Sequence, residues 1–193
     1  MRATSGWEFV AVAFGIASVA FSRKQHILVY PTGLVNTVLY TWFCLSWWGL
    51  YAEASLNVYY TAMSIYGWWL WSRKNTDDGQ RLRITKSTRK EWLQAGLFFG
   101  VCYGVLWLVL ARFTNSTVPM ADAFASAAAY TGMWLMAKKK LEHWLWWMLT
   151  NVASVPLYFA KGAVFTSFQY LIFLVLAVAG YAEWKKTLKH ADA

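Results

Sequence analysis

The run NTDDGQRLRITKSTRKEWLQAGLFFGVCYGVLWLVLAR, residues 75–112, decides the fold. Its first part, Asn75 to Lys90, is the one long polar connection of the chain, and from Trp92 to Ala111 no charge interrupts an apolar stretch. At 1.5 Å per residue, about 20 apolar residues cross a hydrocarbon core of about 30 Å. The chain therefore enters a membrane here from a strongly basic segment. The same alternation extends outward in both directions. Basic clusters stand at Arg23 and Lys24, from Arg73 to Lys90, at Lys138 to Lys140, and at Lys185, Lys186 and Lys189, at every second break between apolar runs. Of the 18 Lys and Arg residues only Arg2, Arg112 and Lys161 lie elsewhere. Basic loops stay on the cytoplasmic side, so the pattern predicts seven transmembrane helices with the N-terminus outside and the C-terminus cytoplasmic. The spans fall near 7–22, 26–47, 50–71, 92–112, 119–137, 141–160 and 164–184.

Composition agrees. The chain is 59% hydrophobic, 19% aromatic and 14% charged, with a mean hydropathy of +0.34, outside the range of soluble domains. Seven spans leave little of the 193 residues for a soluble domain, so the expectation is one all-α integral membrane domain over 1–193. Its net charge of +9 is read as orientation signal and contact with anionic lipid, not as a nucleic-acid surface. Cys44 and Cys102 sit inside apolar spans and imply no disulfide framework. The first apolar run contains Glu8 and lacks a small-residue cleavage site, so it is expected to be a retained helix.

The two halves resemble each other. In the first, Lys24 lies 12 residues before Asn36 and the third helix ends in GWWLWSRK from Gly67; in the second, Lys139 lies 12 residues before Asn151 and the last helix ends in GYAEWKK from Gly180. Glu8 and Asp122 open the respective halves. Both three-helix units run from outside to inside, so one odd helix must return the chain between them. The plan is 3+1+3 with parallel repeats, one at about 6–74, a linker and odd helix at about 75–115, and one at about 117–187. Parallel repeats of this kind build transporters with the site at the repeat interface.

Polar residues within the spans are then the candidates. Asn36 and Asn151 are expected near the midplane, where an unpaired amide is unfavourable; each is either packing glue between helices or a ligand contact. Trp144, Trp147 and Asn151 are spaced i, i+3, i+7 and share a helix face. Trp144 also suits an interfacial anchor, whereas Trp147 lies a turn deeper. An indole face holds an aromatic cation, and an amide offers a donor and an acceptor. Asp122 and Glu8 sit near outer helix ends, as acids favoured at N-termini or as attractors of a cationic substrate.

GLVN ending at Asn36, SIYGWWLWSRK from Ser64, KKLEHWLWWMLTN ending at Asn151 and VPLYFAKGAVFTSFQYLIF from Val155 resemble the PnuC family of vitamin transporters over nearly the whole chain. The resemblance implies a SWEET-like 3+1+3 fold, a homotrimer in the bacterial inner membrane, and facilitated uptake of nicotinamide riboside, with thiamine or riboflavin carried by related members. The candidate substrate-binding set is Asn36, Tyr40, Asn57, Ser64, Asp122, Trp144, Trp147, Asn151 and Gln169. Two departures bear on which vitamin is carried. Asn57 and Ser64 stand where many nicotinamide riboside carriers have Gln then Asn, and Gln169 stands where some relatives have Glu.

Other classes fit less well. His26, His143 and His190 lie at or beyond helix ends, so neither a His-Glu-x-x-His metal site nor an intramembrane Ser-His pair is present. No Gly-x-x-x-x-Gly-Lys loop occurs, which argues against direct ATP coupling. With no midplane carboxylate pair for a proton relay, the expected mechanism is passive alternating access without cofactor or metal, uptake being maintained by a cytoplasmic vitamin kinase. The alternative class is a membrane scaffold that transports nothing; an enzyme is not expected.

Overall fold

The structure is a computed structural model that describes residues 6–48, 51–73, 82–114, 116–160, 162 and 164–191. Arg2, the Glu8 side chain, the 75–81 part of the polar linker and Lys161 lie outside the described residues. Seven α-helices occur among the described residues: α1 (Gly6–Arg23), α2 (Val29–Phe43), α3 (Tyr51–Ser72), α4 (Arg89–Phe113), α5 (Pro119–Ala137), α6 (His143–Ala160) and α7 (Val164–Ala191). A π-helical turn at Cys44–Trp48 extends α2. The expected all-helical, seven-helix architecture is found. The helices group into two compact units, Met1–Leu82 and Arg83–Ala193. In the first, α2 packs against both α1 and α3; in the second, α4 packs on α5, α5 on α6, and α6 on α7.

Local chemistry sets several ends. Thr88 and Glu91 form a reciprocal capping box at the start of α4, Thr88 Oγ1 accepting from the Glu91 N–H at 3.3 Å and Glu91 Oε2 accepting from the Thr88 N–H at 2.8 Å, which satisfies two donors that a helix start leaves unpaired. Pro119 opens α5, where its missing N–H is not needed. Ala123, Ala125, Ala127, Ala128 and Ala129 on α5 are all buried, and their small side chains let α4 and α6 approach closely.

The first-to-second helix corner is built twice. Gln25 and Lys139 both adopt the left-handed conformation, with φ of 55° and 51°, the conformation that commonly ends a helix. Gln25 N donates to Ser22 O as Lys139 N does to Met136 O; His26 N donates to Phe21 O as Lys140 N does to Leu135 O; Val29 N donates to His26 O as His143 N does to Lys140 O. A constant difference of 114 in residue number relates every member of these pairs. It also explains why α2 begins at Val29 and not at the expected His26, since the left-handed Gln25 places three more residues in the corner.

The shared Gly-x-x-x-Trp endings acquire a physical cause. A Cβ on Gly67 would overlap the Tyr30 ring, and one on Gly180 would lie 2.5 Å from Trp144 ring atoms. Trp71 meets Tyr30 edge-on with centroids 5.0 Å apart, and Trp184 meets Trp144 edge-on at 5.9 Å. In each unit, then, the glycine clears space for a ring from the second helix and the Trp one turn later closes over it. Tyr30, Trp71, Trp144 and Trp184 are all buried.

A strap precedes α4. Thr85 N donates to Lys139 O at 3.2 Å, and Leu141 N donates to Thr85 O at 3.0 Å. Glu142, buried beside them, accepts from the N–H and the hydroxyl of Ser87 at 2.8 and 2.7 Å. Lys140 Nζ lies 2.8 Å from Glu91 Oε1. The Lys140 hydrogen bond, followed by the Thr88 backbone bond, holds the Glu91 carboxyl below the usual carboxylate range. A carboxyl with a depressed folded pKa adds stability above its unfolded pKa, about 4.3, and that stability fades as pH falls through the folded value. The wild-type protein is therefore expected to lose more stability than Glu91→Gln when the pH of a melting series drops from 6 to 3. The difference should be under about 1 kcal/mol, because the pair is partly solvated; parallel curves for the two proteins would contradict it.

Candidate functional site

In the second unit α6 carries the densest set of candidates. Trp144, Trp147 and Asn151 do share a face, and the same stripe continues through Ser154 to Tyr158 at helical spacing. The three indoles beside this stripe have different surroundings. Trp144 is 2% exposed, its ring lies over Gly180, and its centroid is 4.5 Å from His143 and 5.9 Å from Trp184. It is a packing residue inside the bundle. Its neighbours are the chain's own groups, His143, Gly180 and Trp184, which differs from the interfacial anchor expected of it. Trp146 points at α4, with ring contacts to Trp92 and Phe99. Trp147 lies along α5, its indole edge 3.4 Å from where a Gly132 Cβ would be, and it stays half-buried.

Asn151 is 4% exposed, and its side chain has no hydrogen-bond partner among the described residues. Most buried polar groups in folded proteins are paired; among the described residues Tyr30 OH, His143 Nε2, Trp144 Nε1 and Trp146 Nε1 are also buried without a partner, and of these groups only the Asn151 amide offers both a donor and an acceptor on the Trp147 face. Ser154, one turn on, is buried as well, and beyond it Tyr158 stacks on Tyr170 of α7 with centroids 5.1 Å apart and planes 13° apart. Gln169 is half-buried on α7 next to Tyr170. Asp122 lies in the first turn of α5, where its carboxylate accepts from the Ser116 hydroxyl at 2.6 Å, the arrangement of an acid that fastens a helix start.

The first unit differs. Asn36 Nδ2 donates to the Ala11 carbonyl of α1 at 2.7 Å and lies over Gly15, whose Cβ would come within 2.9 Å of it. Its amide is therefore engaged in joining α2 to α1. Asn57, Thr61 and Ser64 form a polar stripe on α3 at i, i+4, i+7. The Thr61 hydroxyl lies 2.9 Å from that of Thr37 on α2 and donates to the Asn57 carbonyl. Ser64 is 2% exposed, and its Oγ would be 3.7 Å from a Cβ on Gly33. Tyr40 is half-buried and meets Phe43 edge-on at 6.0 Å.

The expected equivalence of Asn36 and Asn151 does not hold. The corner relates the units by 114, not the 115 that aligning the two asparagines requires. Interhelix bonds agree with the corner: Asn36 reaches the Ala11 carbonyl as Thr150 Oγ1 reaches that of Ala125, at 3.5 Å. Asn36 thus corresponds to Thr150, and Asn151 to Thr37. One residue along a helix turns a side chain by about 100°, so the two amides occupy different faces of their units. Lys24 and Lys139 are likewise out of step by one, Lys139 matching Gln25.

Comparison with known proteins follows the same outline. A family model described as nicotinamide mononucleotide transporter matches residues 5–186. The chain is 27% identical to the nicotinamide riboside transporter PnuC of Escherichia coli, covering 92% of this chain and 84% of that protein. It is 24% identical to the riboflavin/roseoflavin transporter RibM of Streptomyces davaonensis, covering 92% and 83% of the two chains. In structure it is similar to a crystal structure of the vitamin B3 transporter PnuC, with a TM-score of 0.73, 24% sequence identity and coverage of 94% and 81%. At that identity the structural likeness speaks to the fold.

Proposed function

The chain belongs to the nicotinamide mononucleotide transporter family, a family of membrane transporters and not of enzymes, and on that premise we propose that it carries nicotinamide riboside into the cell by facilitated diffusion. The observation that carries the reading is Asn151, a buried amide without a partner among the described residues, on the same α6 face as the half-buried Trp147. The carboxamide and ribose hydroxyls of nicotinamide riboside match an amide that both donates and accepts, and its ring cation suits an indole face. Gln169, half-buried on α7 of the same unit, is the secondary contact of this proposal, and Tyr40, Asn57 and Ser64 are the candidate contacts that the first unit carries. Asn36, Trp144 and Asp122 serve the helix bundle.

Transport without a coupling ion fits the distribution of charge. Among the described side chains the carboxylates are Glu91, Asp122, Glu142 and Glu183, and each lies at a helix start or within about two turns of a helix end; none offers the midplane pair that proton relays use. The basic breaks support an outside N-terminus and a cytoplasmic C-terminus. A cytoplasmic kinase that phosphorylates the vitamin would then maintain net uptake, and the homotrimer implied by the family resemblance belongs to the same proposal.

Riboflavin is the second reading, favoured by the likeness to RibM over 92% of the chain. Thermal shift with nicotinamide riboside, riboflavin and thiamine separates the readings, because a ligand that binds only the folded state raises its melting temperature as concentration passes the dissociation constant. Nicotinamide riboside is expected to give the largest shift at equal concentration. A shift with riboflavin alone would replace the first reading by the second.

A further inference from the structure

Resting on that reading of Asn151, the correspondence between the units carries one step more. In the first unit the Thr37 and Thr61 hydroxyls meet at 2.9 Å and close α2 onto α3. The difference of 114 takes Thr37 to Asn151, and it also takes Ser18 and Gly33, which lie together, to Gly132 and Trp147, which lie together. On the third helices the difference is 113, fixed by Gly67 with Gly180 and by Trp71 with Trp184, each pair set against the corresponding ring of the second helix. It takes Thr61 to Leu174. Leu174 is half-buried on α7, three residues before the buried Ala177 and six before Gly180. Gly180 meets Trp144 at one end of this contact, and Ser167 Oγ donates to the Val155 carbonyl at 2.7 Å toward the other. These two contacts bracket the level of Asn151 and Leu174. Where the first unit joins two helices by a hydroxyl pair, the correspondence assigns to the second unit an amide on α6 and a hydrocarbon side chain on α7.

We infer that Leu174 is a positioning residue for solute binding: by offering no hydrogen bond, it keeps the Asn151 amide available to the solute. Thr37 and Thr61 are the sealed form of the same position, bonded to each other in place of a ligand. Leucine and asparagine both branch at Cγ and are close in size, so exchanging one for the other alters hydrogen bonding more than shape. An amide at this position would act as an internal competitor, pairing with Asn151 in the empty carrier.

Leu174→Asn in the full chain, titrated with nicotinamide riboside, tests this. Affinity is expected to fall about three- to tenfold, the effect of one interhelix hydrogen bond that the solute must displace. Leu174→Met, which keeps the position apolar, should bind within about twofold of the wild type, as volume-conserving apolar exchanges are well tolerated. Placed in an Asn151→Leu background, Leu174→Asn should change affinity no further, since the group it competes for is gone. Unchanged or tighter binding by Leu174→Asn beside a sensitive Asn151→Leu would overturn the inference alone, as would an equal loss in both backgrounds or an equal loss in Leu174→Met. An Asn151→Leu protein that binds normally would overturn the reading of the site itself. Leu174→Thr supplies a hydroxyl in place of the amide, and the same outcomes apply should the asparagine variant not fold.

Discussion

Asn151→Leu is expected to weaken nicotinamide riboside binding by about 1–3 kcal/mol, the range for removing a hydrogen-bonding partner from a buried ligand group, which is about fivefold to more than a hundredfold in dissociation constant. The ligand-free protein should be no less stable. Asn151 is buried and its amide has no partner among the described residues, so replacing it by a hydrocarbon of similar size breaks no bond among them and removes a polar group from the interior. Asn36→Leu should behave in the opposite way. It removes the 2.7 Å bond to the Ala11 carbonyl and should lower stability by about 0.6–1.7 kcal/mol, the measured scale of interhelix hydrogen bonds in membrane bundles, with little change in the affinity of the folded fraction. Titration calorimetry and thermal melts on the two purified variants separate these effects. Loss of stability before affinity in Asn151→Leu would return Asn151 to the role of packing glue.

Gly180→Ala should destabilise the second unit by about 1–3 kcal/mol, the usual range for overpacking a filled interior. The new Cβ would lie 2.5 Å from the rigid Trp144 indole, which is itself held by His143 and Trp184, so no flexible side chain can yield. Gly100→Ala on α4 is the control, because nothing among the described residues lies within 4 Å of its Cβ position. There alanine should be neutral or stabilising by up to about 1 kcal/mol, as helix propensity dictates. Opposite signs for the same substitution would confirm the ring-over-glycine contact; equal melting temperatures for both variants would contradict it.

Much of the fold was legible because membrane topology is written in coarse signals. Basic breaks alternating with apolar runs gave seven spans, and the helices found fall on the same seven stretches, with α2 shortened at its start by the left-handed Gln25. The Gly-x-x-x-Trp endings were visible as a recurrence, but their cause was not, because the rings of Tyr30 and Trp144 that enter the glycine notches come from other helices. The internal repeat was legible and its phase was not. Two asparagines attract the eye, and aligning them forces a difference of 115, whereas the corner backbone requires 114. That single residue decides which amide joins helices and which is left uncommitted.

The candidate site was partly legible for a similar reason. The Trp144–Trp147–Asn151 stripe could have been extended at its own spacing to Ser154 and Tyr158, which the structure places buried and stacked on Tyr170 respectively. Thr37 and Thr61 lay hidden in ordinary apolar helices, where a hydroxyl can bond to its own backbone and gives no signal. Only tertiary contact distinguishes Trp144, enclosed by His143 and Trp184, from Trp147 one turn away.

Uptake of labelled nicotinamide riboside into proteoliposomes, compared for the wild-type chain and Asn151→Leu without any imposed ion gradient, tests the central claim most directly. The wild type is expected to bring the internal vitamin to its equilibrium level, set by the external concentration and any membrane potential, with a rate at low substrate at least about fivefold above that of Asn151→Leu. Equal uptake by the two proteins, or accumulation beyond equilibrium that requires a proton or sodium gradient, would contradict it.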